Sequence, residues 1–343
     1  MQTVRRALLG TGVAGMIAAA LLAAPSGAKA PRAHAAACTK ATNIEAIIDD
    51  SGSMALSDPN TLRVKALKLL INTLSPGTFL GAVEFGSGLD FTTPPTPGAD
   101  TVFKPEAVGA NASAMGTALD QKINADNGAT DYNAAFAQSD ADNPTATARI
   151  FLTDGGHDVG DYNNGHLVHR VPTYVVSFGS GIAPEDATRL QTIANDTGGH
   201  YYPQTDSSGL QAVMNDIGTA LTCQAAPKAF TDHLTQGKSK THSLNVASTT
   251  KTLQIALTWS SPLDKFSISH LKLVAHGRTI AVGARHRKPK KLRVKTTKSP
   301  TFTLLKVSGL KKGKLSFRVK ALSVGSGAPQ VTLTTQVTQS SHK

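Results

Sequence analysis

Acidic residues almost vanish from the last third of this 343-residue chain: after Cys223 only Asp232 and Asp264 remain, against 22 lysines and arginines. Cysteine is equally sparse, with Cys38 and Cys223 alone, which excludes a disulfide-dense miniature scaffold and any CxxC metal or redox motif. Aromatic residues make up 5% of the chain, and none interleave with its basic run to stack nucleic-acid bases.

What the end lacks, the middle holds in excess. Residues 38–223 carry 21 Asp and Glu against nine Lys and Arg, a net charge of −12, whereas residues 224–343 stand at +20. The whole-chain value of +12 therefore averages two oppositely charged regions, and the length allows two domains.

At the start, Arg5 and Arg6 precede a nearly uncharged apolar run from Ala7 to Ala24, and Ala33-His34-Ala35 and Ala35-Ala36-Ala37 supply small residues for cleavage. This pattern predicts a secretory signal peptide over 1–37, hence a secreted or cell-surface protein that meets the membrane only through that segment; an uncleaved anchor is the alternative. The Arg5-Arg6 pair alone is a weak twin-arginine signal. An oxidising exterior makes an intramolecular bridge between Cys38 and Cys223 the expectation, with pairing between chains as its alternative.

Three segments then place oxygen atoms at strand ends or helix starts. Ile47-Ile48-Asp49-Asp50-Ser51-Gly52-Ser53 is an apolar run ending in carboxylates and hydroxyls. Gly128-Ala129-Thr130-Asp131 opens a helix, and Ile150-Phe151-Leu152-Thr153-Asp154-Gly155 is a second apolar run ending in a carboxylate. Such groups also cap helices, but a carboxylate with hydroxyls suits a hard cation that keeps some of its waters. The carboxyl edge of an open parallel sheet is where ligands bind.

Around these motifs, Asn43 to Ile48, Phe79 to Phe85, the run to Thr153 and Thr173 to Phe178 read as strands. Helices are expected after a cap at Asp58 or Asn60, near Ala112 to Ile123, from Tyr132 to Ser139, and near Pro184 to Asn195 and Ser208 to Leu221. Gly86 to Asp100, with Pro94, Pro95 and Pro97, reads as a loop. Apolar strands alternating with amphipathic helices predict an α/β fold: a doubly wound, mainly parallel sheet covered on both faces.

Taken together, these residues resemble the von Willebrand factor A-type (VWA) family and its metal-ion-dependent adhesion site (MIDAS). The family's DxSxS, threonine and TDG-like aspartate all have counterparts here, and the resemblance runs from about Asn43 to Leu221 through Thr173 to Gly179, Leu190 to Ala194 and Thr197 to Tyr202. It implies a Rossmann-like VWA domain over 38–223, in which Ser51, Ser53 and Thr130 offer hydroxyls while Asp49 and Asp154 act directly or through water on Mg2+, with Mn2+ or Ca2+ as alternatives. It also implies that an acidic group of a protein partner completes the cation's shell in reversible adhesion. Two departures stand out: Ala129 replaces a frequent glycine, and Asp50 adds a carboxylate at a usually uncharged position, where it is expected to face solvent, with tighter divalent binding as the alternative. Asp131 is expected to contribute to the site from outside the ligand set, if at all.

Beyond a linker expected over 224–240 the apolar period becomes two, in Leu253, Ile255, Leu257 and Trp259, in Leu315, Phe317 and Val319, and in Val331, Leu333 and Val337. This predicts an all-β immunoglobulin-like sandwich over 241–343. Gly309 to Gly313 before Leu315 to Ala321 resembles a fibronectin type III turn and strand, while Leu253 to Trp259 before Pro262 equally suits a bacterial pre-peptidase C-terminal-type sandwich; neither implies an activity. The run Arg285 to Lys295, with Arg285, Arg287, Lys288, Lys290 and Lys291, points to a general attraction for polyanions. An extracellular setting favours an anionic surface polymer over nucleic acid. The acidic and basic domains could also meet in a salt-sensitive, ion-paired interface.

His157, Asp158, His166 and His169 follow Asp154 and could perform acid–base or metal chemistry. No nucleophile motif, metalloprotease helix or phosphate loop accompanies them, so they read as solvent-exposed loop residues. The expected function is non-enzymatic: an exported adhesion or binding protein whose VWA domain uses a divalent cation, with the basic domain for retention. A structural surface protein without a functional metal and, more remotely, a metal-assisted hydrolase are the alternatives.

Overall fold

The computed structural model describes residues 39–86, 98–124, 128–163, 165, 169–179, 182–203, 209–281 and 292–341. The expected signal segment over 1–37, Cys38, His166 and the basic positions Arg285, Arg287, Lys288, Lys290 and Lys291 lie outside them.

The first strand, β1 (Asn43–Asp49), is buried along six of its seven residues, so it needs cover on both faces. It lies between β2 (Phe79–Phe85) and β4 (Ala148–Thr153), parallel to each. β5 (Thr173–Ser177) and β6 (His200–Pro203) continue the parallel run, and β3 (Ala99–Ala107) closes the far edge antiparallel to β2, giving the order β3-β2-β1-β4-β5-β6. Helices α2 (Leu62–Thr73), α3 (Val108–Lys122) and α6 (Leu210–Leu221) pack on the face of Ile44, Ile48, Ile150 and Val176. Helices α4 (Tyr132–Asp142) and α5 (Pro184–Thr197) pack on the face of Ile47, Phe85, Phe151 and Val175. A four-residue helix, α1 (Met54–Ser57), follows the loop after β1. The expected doubly wound layout is therefore present. β3 was not anticipated, because it follows the proline-rich stretch and itself carries Pro105, a residue that a strand tolerates at an edge.

The second half folds into two antiparallel sheets. One has the order β11-β10-β14-β8, from β8 (Ser239–Val246), β10 (Lys265–Ala275), β11 (Arg278–Ala281) and β14 (Gly313–Ser323); the other is β12-β13-β9-β15-β7, from β7 (Lys228–Leu234), β9 (Thr252–Thr258), β12 (Arg293–Ser299), β13 (Phe302–Ser308) and β15 (Val331–Ser340). Alternate residues of both sheets, among them Leu253, Leu257, Leu273, Phe317, Val319 and Leu333, form one apolar core. The segment 224–240 is not a bare linker: it contains β7 and the start of β8. β7 escapes sequence reading because it is an edge strand, and only Asp232 and Leu234 of its seven residues are buried.

The two halves belong to one compact unit. Leu69 of α2 packs with Ala256, Phe302 and Leu304 on the outer face of the five-stranded sheet. Gln211 Nε2 of α6 donates to Thr301 Oγ1 at 2.7 Å, and Gln336 Nε2 of β15 donates to Asp216 Oδ1 at 2.8 Å. Amides and hydroxyls, rather than the lysines and arginines of the basic half, supply these bonds. Burial raises the Asp216 carboxyl above its ordinary range, and the bond from Gln336 opposes that shift.

At the opposite end of β1 from the oxygen-rich loop, Glu45 is fully buried beside its cross-strand partners Gly81 and Arg149. A β-carbon on Gly81 would stand 2.2 Å from Glu45 Oε2, so the glycine makes room for the carboxyl group. Asn143 Nδ2 donates to that oxygen at 2.9 Å, yet burial dominates and pushes the carboxyl from 4.5 up to about 8. Between those values the folded state keeps a proton that the unfolded chain has released. The resulting stability is complete below pH 4.5 and is lost as pH rises through about 8, at up to about 1.4 kcal/mol per pH unit. Glu45→Gln is expected to flatten this decline and to raise the melting temperature at the alkaline end. Thermal denaturation across the window measures it, and identical pH profiles for the two proteins would remove Glu45 as the cause.

Ala41 N donates to Leu221 O at 2.9 Å, so the entering and leaving segments of the α/β domain meet within three residues of each cysteine. Peptide mapping of the exported protein without reductant is expected to recover a Cys38–Cys223 linked pair. Free thiols, or linked dimers as the main species, would contradict it.

Candidate metal centre

Three loops at the carboxyl edge of the sheet stack backbone against backbone. Asp50 N donates to Phe85 O at 2.7 Å, and Gly52 N donates to Gly128 O at 3.1 Å. The approach is too close for side chains. A β-carbon on Gly128 would lie 1.2 Å from Gly86 O; Gly86 itself has φ +114°, and a β-carbon there would lie 2.3 Å from Ser51 N. Glycine supplies both the left-handed backbone and the space.

This stacking brings the five expected residues together. Asp49, buried at the end of β1, accepts from Ser51 N at 2.9 Å and from Thr153 Oγ1 at 2.6 Å. Ser51 Oγ and Ser53 Oγ are 3.1 Å apart, and Ser53 Oγ donates to Asp154 Oδ1 at 2.8 Å. Ser57 Oγ donates to the other Asp154 oxygen. A β-carbon on Gly155 would stand 3.9 Å from Thr130 Oγ1 and 4.0 Å from Ser53 Oγ, so both hydroxyls lie within about 4 Å of Gly155. Asp49, Ser51, Thr130 and Asp154 are buried, while Ser53 opens to solvent.

Burial, and then the neighbouring charge of Asp154, pushes the Asp49 carboxyl up to about 7, against the pull of the bonds from Ser51 and Thr153. Two carboxylates thus share a small space without a cationic side chain between them. Among the described residues no three His, Cys, Asp or Glu side chains cluster as a metal site; here two carboxylates are joined by three hydroxyls. An all-oxygen donor set of this kind fits a hard divalent ion that retains water, and it offers no soft nitrogen or sulfur ligand.

Several neighbours differ from their sequence reading. Asp50 does not face solvent: it is fully buried, ion-paired to the buried Arg63 of α2, and accepts from Asn124 N at 3.0 Å. Arg63 also meets Asp58 at 3.2 Å, and Asp58 caps α2 by accepting from Leu62 N at 2.7 Å and Arg63 N at 2.9 Å. Asp131 caps α4, accepting from Asn133 N at 2.9 Å and Ala134 N at 3.1 Å. The His157 side chain is buried rather than exposed, accepting from Tyr132 N at 3.1 Å and lying against Tyr132 and Tyr162. Asp158 Oδ1 accepts from Thr130 N at 2.7 Å while its own N donates to Thr130 O at 3.0 Å, fixing the threonine loop. His169 is exposed. Ser57 and Thr153 were missed, although Ser57 lies four residues after Ser53, one helical turn away.

No family model matches the sequence, and no curated protein is similar to it in sequence. Solved structures are similar in fold description. A von Willebrand factor type A protein from Catenulispora acidiphila shares 16% identity over 88% of this chain and 63% of its own, with a TM-score of 0.42. Proximal thread matrix protein 1 from the mussel byssus, with a zinc-occupied MIDAS motif, shares 16% over 58% and 50%, with a TM-score of 0.42. The pilus adhesin SpaC from Lactobacillus rhamnosus GG, in its open conformation, shares 11% over 87% and 44%, with a TM-score of 0.42. The chain thus spans less than two thirds of each of these proteins. Among the described residues no helix is long and apolar enough to cross a membrane.

Arg63→Met is expected to leave Asp50 and Asp58 buried without their guanidinium and to cost about 3–5 kcal/mol. Chemical denaturation measures the loss. A change below about 1 kcal/mol, the value of an exposed pair, would show that Arg63 does not hold the loop.

Proposed function

We propose that the chain is an exported, non-enzymatic adhesion or binding protein that uses its VWA-like domain to hold a divalent cation, Mg2+ or Mn2+ in the first instance and Ca2+ as an alternative. The observation that carries this reading is the convergence of Asp49, Ser51, Ser53, Thr130 and Asp154 from three loops onto one partly open spot. When bound, the cation supplies an open coordination place that attracts an acidic group of a protein partner. The chain's own residues do the rest: Thr153 and the Ser51 amide orient Asp49, Ser57 orients Asp154, and Asp158 orients Thr130. Leu56 on α1, beside the Ser53 opening, is 88% exposed, and an apolar side chain there suits a macromolecular partner more than a small solute.

Export rests on the sequence of residues 1–37. The basic half, which we read as an immunoglobulin-like sandwich, provides retention through anionic surface polymer. Calorimetry on the mature protein is expected to show saturable Mg2+ or Mn2+ binding that the Asp49→Ala plus Asp154→Ala double variant lacks, with both proteins keeping the same circular dichroism. Equal metal affinity in the two would sink the proposal.

A further inference from the structure

A cleft of about 490 Å3 lies between the turn after α2, at Ser75 and Pro76, and the outer face of the β12–β13 hairpin. Three of its walls are cationic: Arg293, Lys295 and Lys306. Lys295 and Lys306 are direct cross-strand partners, and Arg293 stands opposite Ser308 two pairs along, on the same face. Like charges opposite each other destabilise a strand pair, so nothing in the folding of the hairpin calls for this arrangement.

Among the described residues no Asp or Glu lines the cleft, and none of the three cations makes an ion pair. The two acids of the basic half are committed elsewhere and buried: Asp232 to His242 at 2.6 Å, and Asp264 to Ser326 N at 3.0 Å. The carbonyl at the end of α2 that faces this side, Thr73 O, accepts from Gln254 Nε2 at 3.4 Å. Lys306 is half-buried; burial first, and then the charge of Lys295, hold its amine below the ordinary value. Hydroxyls of Ser75, Ser308 and Ser340 complete the wall.

We propose that this cleft binds a polyvalent tetrahedral oxyanion, a phosphoryl or sulfuryl group, at the junction of the two halves of the chain. One carboxylate would neutralise a single cation and leave two facing each other, whereas a multiply charged oxyanion answers all three and accepts from the surrounding hydroxyls. None of the residues lining the cleft belongs to the metal centre. A ligand seated here touches the α2 turn and the β12–β13 hairpin at once, so binding also braces the α/β half against the sheets.

The test is calorimetric titration of the full mature chain in chelator-treated, metal-free buffer at about 50 mM salt, where screening is weak, with tripolyphosphate, inorganic phosphate and inorganic sulfate as separate probes. Metal-free conditions keep the result independent of the metal centre. Saturable tripolyphosphate binding is expected, weakening as salt rises and weakening by about tenfold or more in both Arg293→Gln and Lys306→Gln. The double variant Lys311→Gln with Lys312→Gln, outside the cleft, should bind like the wild type. Arg293 and Lys306 differ in burial, so a fault in folding would not strike both variants alike; unchanged melting temperatures check this. Phosphate binding as tightly as tripolyphosphate would assign a free ion as the ligand, sulfate matching phosphate would assign tetrahedral shape, and tighter tripolyphosphate would assign a phosphorylated chain. No saturable binding of any probe, equal affinity in the cleft variants and wild type, or equal loss in the Lys311 and Lys312 control would overturn the proposal.

Discussion

A fully buried guanidinium organises the loops at the carboxyl edge of the sheet. Arg63 has no access to solvent and would be costly there without partners. Its partners are Asp50, which follows β1, and Asp58, which precedes α2. Asp50 also accepts from Asn124 N after α3. One charge cluster thereby ties together the end of the central strand, the start of one helix and the end of another. The DxSxS loop runs between Asp50 and α1, so its two serines inherit their positions from the buried ion pair of Asp50 and Arg63. Asp49 is left to turn to the other face of the sheet, towards Thr153 and Asp154.

The same helix explains why parts of the fold were legible and parts were not. The strand ends carrying Asp49 and Asp154 were readable because apolar runs stop abruptly at oxygen-bearing residues, and α4 and α5 because their turns begin at Asp131 and Pro184. The role of Arg63 was not readable. It sits among Leu62, Val64, Ala66 and Leu67, all buried, and Leu69 on another side of α2 is buried too. An isolated α/β domain would expose one side of α2 to water; here the five-stranded sheet covers it through Ala256, Phe302 and Leu304. Sequence periodicity reports one buried stripe, so a helix covered on two sides misleads it, and with it the reading of Asp50 as a surface residue. Strands β3 and β7 were lost for a different reason: edge strands bury little and carry weak alternation.

The opposite net charges of the two halves suggested an ion-paired junction, and the junction proves to be built from short-range chemistry instead. Leu69 against Phe302 and Leu304, with bonds from Gln211 and Gln336, joins surfaces that fit without charge neutralisation. Such an interface responds little to salt, because neither apolar contact nor a buried amide bond is screened as exposed charges are. The charge difference between the halves is therefore left on their surfaces.

Two uncompensated clusters of opposite sign consequently persist in one folded chain. At the carboxyl edge of the α/β sheet, burial and then the neighbouring charge of Asp154 push the Asp49 carboxyl up to about 7. On the outer face of the five-stranded sheet, burial and then the facing charge of Lys295 hold the Lys306 amine below its ordinary value. The unfolded chain could relieve both repulsions by letting the charges drift apart or meet. The folded chain cannot, since one pair is fixed by strand ends and glycine-lined loops and the other by the register of a hairpin. Each cluster therefore detracts from stability in the ligand-free state, and a solute of opposite charge that bound only the folded form would relieve it by mass action.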